Sequence, residues 1–375
     1  MAAFYIVYCL LAGLGTVFIR YKSLSFRTIV VIFIFIAASY FGFRLGESSP
    51  LRFAPREKPL NLKLALSIGT TVASISVLIA WGFILRHYGS LGYVFANAFS
   101  IRISTIGSKE SAYPLVFGYG ASICYGFFPL ALILKRKVEG VCLFIVILLL
   151  DLVSFGRVGV IFATFILLSW ALVQKVRLLS IKNIMAMIIL LAVLIMPRLI
   201  RGNFDNFEGT ISGYRPYFRY ELPSSTNMIA SNYIYYFSSG YALNEYLMDS
   251  RGSDKLGLGS RIFAPIANMT SRLFGGARPN LIDKTAEIPF EYNIYTAIHD
   301  WLIDFGVLGM VIGPLLLNFL LAILSKGEGA AATAVKIYSM AYILFTPVYF
   351  IFTFGGFFLS LFLLLCIRIQ DVRIA

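Results

Sequence analysis

The feature that most constrains this chain is a series of long, unbroken apolar runs, among them CLFIVILLL (142–150) and VIFATFILLSWALV (160–173). Soluble domains are nearer half apolar and a quarter charged, whereas this chain is 59% hydrophobic and 13% charged. A backbone in hydrocarbon must satisfy its own hydrogen bonds, which leaves helices or a closed barrel. The runs are continuous and do not alternate in short segments, so the chain reads as an all-α polytopic membrane protein.

Apolar spans are expected at 3–19, 28–42, 64–85, 113–134, 140–153, 158–174, 183–199, 302–324, 335–351 and 354–368, about ten in all. Met1 to Ile19 lacks a basic n-region and a small-x-small cleavage site, so it reads as a retained span and not a signal peptide. Basic clusters at Lys135–Lys137, at Lys175, Arg177 and Lys182, at Lys326 with Lys336, and at Arg368 with Arg373 mark cytoplasmic segments. Alternation then places 86–112, 154–157 and 200–301 on the outer side. The expected organisation is N-terminal transmembrane helices over 1–199, a long outer loop with short helices over 200–301, and C-terminal transmembrane helices over 302–375.

The net charge of +14 follows the topology signal and argues against nucleic acid as a partner. The four cysteines, Cys9, Cys124, Cys142 and Cys366, lie singly in apolar segments and read as small buried hydrophobes. There is no phosphate loop of the G-x4-GK[ST] kind, no D-x-D pair and no H-E-x-x-H. An ATP motor, a metal-held nucleotide sugar and zinc catalysis are therefore disfavoured, and no metal or other cofactor is expected.

The outer loop concentrates the chemistry. Nine of the 18 acids lie between 200 and 291, with seven arginines but only two lysines. Arginine forms a planar fork that takes phosphate oxygens bidentately, so this bias suits a diphosphate. Arg157 in the turn SFGRVG, Arg102 in SIRIST, Arg215 and Arg219 in GYRPYFRY, and Arg261 form the anion-binding set. Any one of them could instead pair with a nearby acid or snorkel to headgroups. Ten tyrosines between Tyr214 and Tyr295, Tyr236 among them, offer flat faces with hydroxyl edges suited to sugar rings, or alternatively an interfacial belt.

One span opens with polar residues: EYNIYTAIHDWLIDFG, 291–306. A helix over 292–306 would put Tyr292, Tyr295 and His299 on one face and Asp300 with Asp304 on the next. His299 titrates nearest neutrality and suits a general base, or it caps the helix or pairs with an acid. Gly306, Gly309 and Gly313 form a small-residue stripe expected to admit another helix.

The stretch YNIYTAIHDWLIDFGVLG (292–309) resembles the late motif of bacterial O-antigen and capsule repeat-unit polymerases, the Wzy type, through Asn293, Tyr295, Thr296, Asp304, Phe305, Gly306 and Gly309. YIYYFSSGYALNEYL with LGLGSRIFAPIANM, and SFGRVGVIF, are similar more weakly. The resemblance implies a GT-C-like glycosyltransferase bundle in the bacterial inner membrane, with its active site facing the periplasm. It implies as substrate an oligosaccharide on undecaprenyl diphosphate, and as a further partner a chain-length regulator protein. Related O-antigen ligases place a histidine just ahead of a similar helix, which implies a catalytic role for His299. Arg157, Arg215, Arg219, Arg102 and Arg261 would then hold the diphosphate, and Tyr292, Tyr295, Tyr236 and Asp300 the glycan. Two alternatives stay open: a ligase passing glycan to lipid A core, and a transporter or flippase of a lipid-linked saccharide.

Overall fold

A computed structural model describes residues 13, 16–51, 53–55, 60–98, 101, 114–153, 158–176, 218–220, 238–248, 256–267, 286–288, 291–292, 296–347 and 350–374. In chain order the helices are α1 (Phe26–Ser48), α2 (Leu62–Tyr88), α3 (Leu91–Ala96), α4 (Leu115–Ser122), α5 (Cys124–Ile133), α6 (Lys137–Val153), α7 (Val158–Val173), α8 (Ser239–Met248), α9 (Ala297–Leu324), α10 (Ala330–Phe345) and α11 (Gly355–Asp371). Short antiparallel pairs join β1 (Phe53–Pro55) to β4 (Val372–Ile374) and β2 (Ala286–Glu287) to β3 (Glu291–Tyr292). Phe26–Ser48, Leu62–Tyr88, Val116–Ile133 and Ala297–Leu324 are long and apolar enough to cross a membrane, and shorter apolar helices accompany them. The protein is a polytopic helical membrane protein. The expected spans at 183–199 and over most of 3–19 lie outside the described residues.

Helix faces are apolar both inward and outward, as a lipid solvent requires. In α2, Leu66, Ala73, Val77, Ala80 and Ile84 are buried, while Leu64, Ile68, Val72, Ile75 and Ile79 form an exposed stripe at helical spacing. In water such a stripe would forfeit roughly 25 cal/mol for each Å² left exposed; against acyl chains it costs nothing. The ends of α2 are marked locally. Asn61 accepts from the Leu64 N–H at its start, and Gly89, at φ 88°, donates its N–H to the Leu85 carbonyl at its end.

The chain divides into two compact units that interleave along the sequence. One comprises 51–207, 324–342 and 356–375. Here the span expected at 113–134 is present as Val116–Ile133, made of α4 and α5 with a break of one residue at Ile123, which itself keeps right-handed helical angles. Ser360 Oγ donates to the Ser122 carbonyl at the break, and Gly126 lets the Ser360 backbone approach so closely that a Cβ would lie 2.5 Å from its oxygen. Asp151, at 6% exposure near the end of α6, accepts from the N–H groups of Gly159 (3.1 Å) and Val160 (2.7 Å) and so caps the start of α7. Arg368, read from sequence as a topology signal, is buried, and its guanidinium donates to the Leu324 and Lys326 carbonyls. It satisfies orphan carbonyls that a helix end leaves in an apolar environment.

The other unit comprises 1–50, 208–323 and 343–355. Two glycines four apart in α1, Gly42 and Gly46 of GFRLG, sit against the backbone of α9. A Cβ on Gly42 would lie 2.2 Å from the Leu315 oxygen, and one on Gly46 2.6 Å from the Phe319 oxygen. This small-xxx-small crossing is the close-approach device of membrane helices.

Helix α9 is not one straight rod. Gly306, at φ 65° and ψ −158°, is non-helical and divides it. Trp301 and Gly313 would be about 18 Å apart along a straight helix, yet the Trp301 ring covers Gly313 closely enough that a Cβ there would overlap it. The chain therefore doubles back at Gly306. The glycine stripe expected to admit another helix instead receives the Trp301 and Phe305 side chains of its own first half. Residues 307–324 remain as the membrane-crossing part, roughly 27 Å long, and expose Val307, Leu308, Ile312, Leu316 and Leu320.

Replacing Gly42 with Leu is expected to cost about 1–3 kcal/mol by overpacking. The thermal midpoint of the detergent-solubilised protein should fall by a few degrees, whereas Leu at Gly82, which has open space around it, should leave it in place.

Candidate functional site

The reversal at Gly306 determines what surrounds the polar residues before it. Ending the first half of α9 frees the carbonyls of its last turn, which need donors. They come from the LGLGSR segment: Gly257 N–H donates to Ile303 O and Leu258 N–H to Asp304 O, each at 2.9 Å. The segment turns through two successive left-handed residues, Leu258 (φ 49°) and Gly259 (φ 90°). Gly257 is needed for a separate reason, because a Cβ there would lie 2.4 Å from Asp304 Oδ1.

The Asp304 side chain, fully buried, then takes the donors of the same turn. Its Oδ2 accepts from the N–H groups of Arg261 (2.9 Å) and Ile262 (2.7 Å), and its Oδ1 accepts from Ser260 Oγ at 3.3 Å. One turn earlier on the helix, Asp300 accepts from the Arg261 guanidinium at 3.3 Å, with about a tenth of each side chain exposed. The two acids four residues apart thus hold one arginine, Asp304 by its backbone and Asp300 by its side chain.

His299 lies beside them at 1% exposure. Its backbone N–H donates to Thr296 O, and its ring meets Tyr246 edge to face at 4.6 Å. Arg261 is within electrostatic reach of the imidazole. The result is a guanidinium, a carboxylate and an imidazole grouped almost out of solvent at the entrance to a membrane-crossing segment. Among the described residues no three His, Cys, Asp or Glu side chains converge as a metal-ligand set.

Tyr246 is placed by α8, which lies in the tyrosine-rich stretch between Tyr214 and Tyr295 and acts as a polar hub. Asn244 Oδ1 accepts from the Ser25 N–H and from Thr28 Oγ1, both at 2.8 Å, and so organises the start of α1. Arg27 donates to the Leu247 carbonyl at the end of α8 at 3.0 Å. At its start, Ser239 Oγ donates to Pro347 O at 2.6 Å, while Ala297 N–H donates to the adjoining Thr346 O at 3.0 Å. Tyr241 stacks on Tyr21 at 4.0 Å, and burial pushes its phenol up to about 12, so it stays neutral.

Of the site residues expected from sequence, Arg261, His299 and Asp300 come together. Arg219 is exposed, in an extended pairing where its N–H donates to Phe18 O at 2.8 Å. Arg157, Arg215, Arg102, Tyr236 and Tyr295 lie outside the described residues. The common helical face expected for Tyr292, Tyr295 and His299 does not form. Tyr292 lies in β3 and pairs with Ala286, and α9 begins only at Ala297, so the backbone of Tyr292 is committed to a ladder. Three groups were missed from sequence: Asp304 as a clasp, Asn244 as a cap, and the GFRLG crossing. Only the last carried a local signal, its glycine spacing. No family of proteins, no curated protein and no solved structure matches the chain.

Replacing Asn244 with Ala leaves the half-buried Ser25 N–H and the buried Thr28 hydroxyl without this acceptor, at up to about 1–3 kcal/mol for a group left unsatisfied. A clear fall in the unfolding midpoint is expected. Lys22→Ala breaks only the exposed contact with Glu245, whose worth is about 0–1 kcal/mol, and should leave the midpoint nearly unchanged.

Proposed function

We propose that this protein is a membrane glycosyltransferase that polymerises oligosaccharide repeat units carried on undecaprenyl diphosphate. The observation that carries the reading is the grouping of Arg261, Asp300 and His299 within and against the segment whose sequence resembles the repeat-unit polymerases. In this reading the helices belong to a GT-C-like bundle of about ten spans in a bacterial inner membrane, and the polar cluster faces the periplasm.

The reaction follows from the groups. A hydroxyl at the non-reducing end of an incoming lipid-linked unit attacks the anomeric carbon of the growing glycan. The bond from that carbon to the diphosphate oxygen breaks, and the electron pair leaves with the lipid diphosphate. His299 takes the hydroxyl proton, and Arg261 stabilises charge developing on the diphosphate. A guanidinium held nearly dry is worth more to such an anion than one in water. Asp300 neutralises Arg261 in the resting protein, and with bound glycan it is placed to accept from sugar hydroxyls. Arg157, Arg215, Arg219 and Arg102 remain the further anion ligands that the sequence resemblance implies.

Purified protein given a lipid-diphosphate repeat unit alone is expected to make a ladder of longer glycans without ATP. No ladder from a folded preparation with its true substrate sinks the proposal, and product only on addition of lipid A core makes the protein a ligase. General-base catalysis contributes about 10²–10⁴-fold, so His299→Ala should slow elongation about 100-fold or more. Arg157→Ala, Arg215→Ala and Arg261→Ala should each abolish the ladder at unchanged protein level.

A further inference from the structure

We propose that Asp304 is the positioning residue of the anion-binding site, a role that rests on the reading of Arg261 as a diphosphate ligand. A long, flexible arginine is useful to a diphosphate only if its backbone is fixed, because rotamer freedom must otherwise be lost on binding. Asp304 supplies that fixation without touching the guanidinium. Its carboxylate, fully buried, gathers the Ser260 hydroxyl and the N–H groups of Arg261 and Ile262. Two further bonds, from Gly257 and Leu258 to the carbonyls of Ile303 and Asp304, tie the other end of the same turn to the same stretch of helix. The turn is therefore held at both ends while the Arg261 side chain extends towards Asp300, one helical turn away.

The division of labour between the two acids is what makes this more than a structural contact. Asp300 meets the guanidinium and is the carboxylate that an incoming diphosphate would replace as its partner. Asp304 meets only the backbone of Arg261, so it keeps its bonds when that exchange occurs. Gly257 reports on the same contact from the other side. Its missing Cβ is the space into which Asp304 Oδ1 fits, at 2.4 Å from where a Cβ would stand. Leu258 and Gly259 then hold left-handed backbone conformations that the two-ended clasp maintains.

The test is binding, not turnover. Geranylgeranyl diphosphate in detergent micelles serves as the probe, titrated into the full-length protein. Arg261→Ala should weaken its binding tenfold or more. Asp304→Asn should cause a loss of similar size, and the double variant should be no weaker than Arg261→Ala alone. Gly257→Ala, which displaces the carboxylate and leaves its charge intact, should reproduce the Asp304→Asn loss. Wild-type affinity in either single clasp variant, additive losses in the double variant, or no binding of the probe by the wild-type protein would overturn the proposal. Loss of the monodisperse folded peak in both clasp variants would make the contact a folding element only, and would overturn it too. The polymerase reading fails separately: a wild-type protein that binds the probe but builds no ladder leaves Asp304 in its role and removes the reaction.

Discussion

The reversal of the chain at Gly306 is the constraint on which the polar half of this protein depends. A straight helix from Ala297 to Leu324 would carry His299, Asp300 and Asp304 along the axis of a span, where charged groups are costly. Doubling back leaves the crossing to 307–324 and lays 297–305 beside it, with Trp301 on Gly313. The break also frees carbonyls at Ile303 and Asp304, and their demand for donors recruits the LGLGSR turn. Arg261 arrives with that turn. One glycine conformation therefore leads, bond by bond, to the grouping of guanidinium, carboxylate and imidazole.

The same economy recurs wherever a helix ends among apolar neighbours. Asp151 receives the first N–H groups of α7, Arg368 the Leu324 and Lys326 carbonyls, and Asn244 the start of α1. Arg368, read from the sequence as a topology signal, is here committed to backbone carbonyls, because an apolar surrounding offers them no water. This separates Asp300, which meets the Arg261 side chain, from Asp304, whose bonds to the Arg261 and Ile262 N–H groups stay in place when that side chain changes partner.

Much of the helical frame was legible in advance. Span expectations at 28–42, 64–85, 140–153 and 158–174 fall within, or within a residue or so of, α1, α2, α6 and α7, because length and continuous apolarity are sufficient for a helix in lipid. The span expected at 113–134 is found as Val116–Ile133, but its one-residue break at Ile123 was not legible, since the donor that serves it is Ser360, far along the chain. The grouping at α9 was half legible. The spacing of Asp300 and Asp304 put both acids on one side of the helix, but their partner, Arg261, is some forty residues away, and the sequence left it open between an anion and an unnamed acid. The start of α9 was misplaced because EYNIY reads as a plausible first helical turn, and only the pairing of Glu291 and Tyr292 with Glu287 and Ala286 shows that the backbone of those two residues is used elsewhere.

The sequence by itself determined the solvent of this protein. Runs of apolar residues without partners for water can only be helices in a bilayer, and that follows from composition and local hydrogen bonding alone. It also determined which residue types were available for chemistry and roughly where along the chain they lay. Tertiary structure decided which of those charges remain available. A carboxylate is catalytic, positioning or merely capping according to whether a side chain, a turn or a helix end lies against it. That proximity is set by chain reversals and long-range packing that no local pattern encodes.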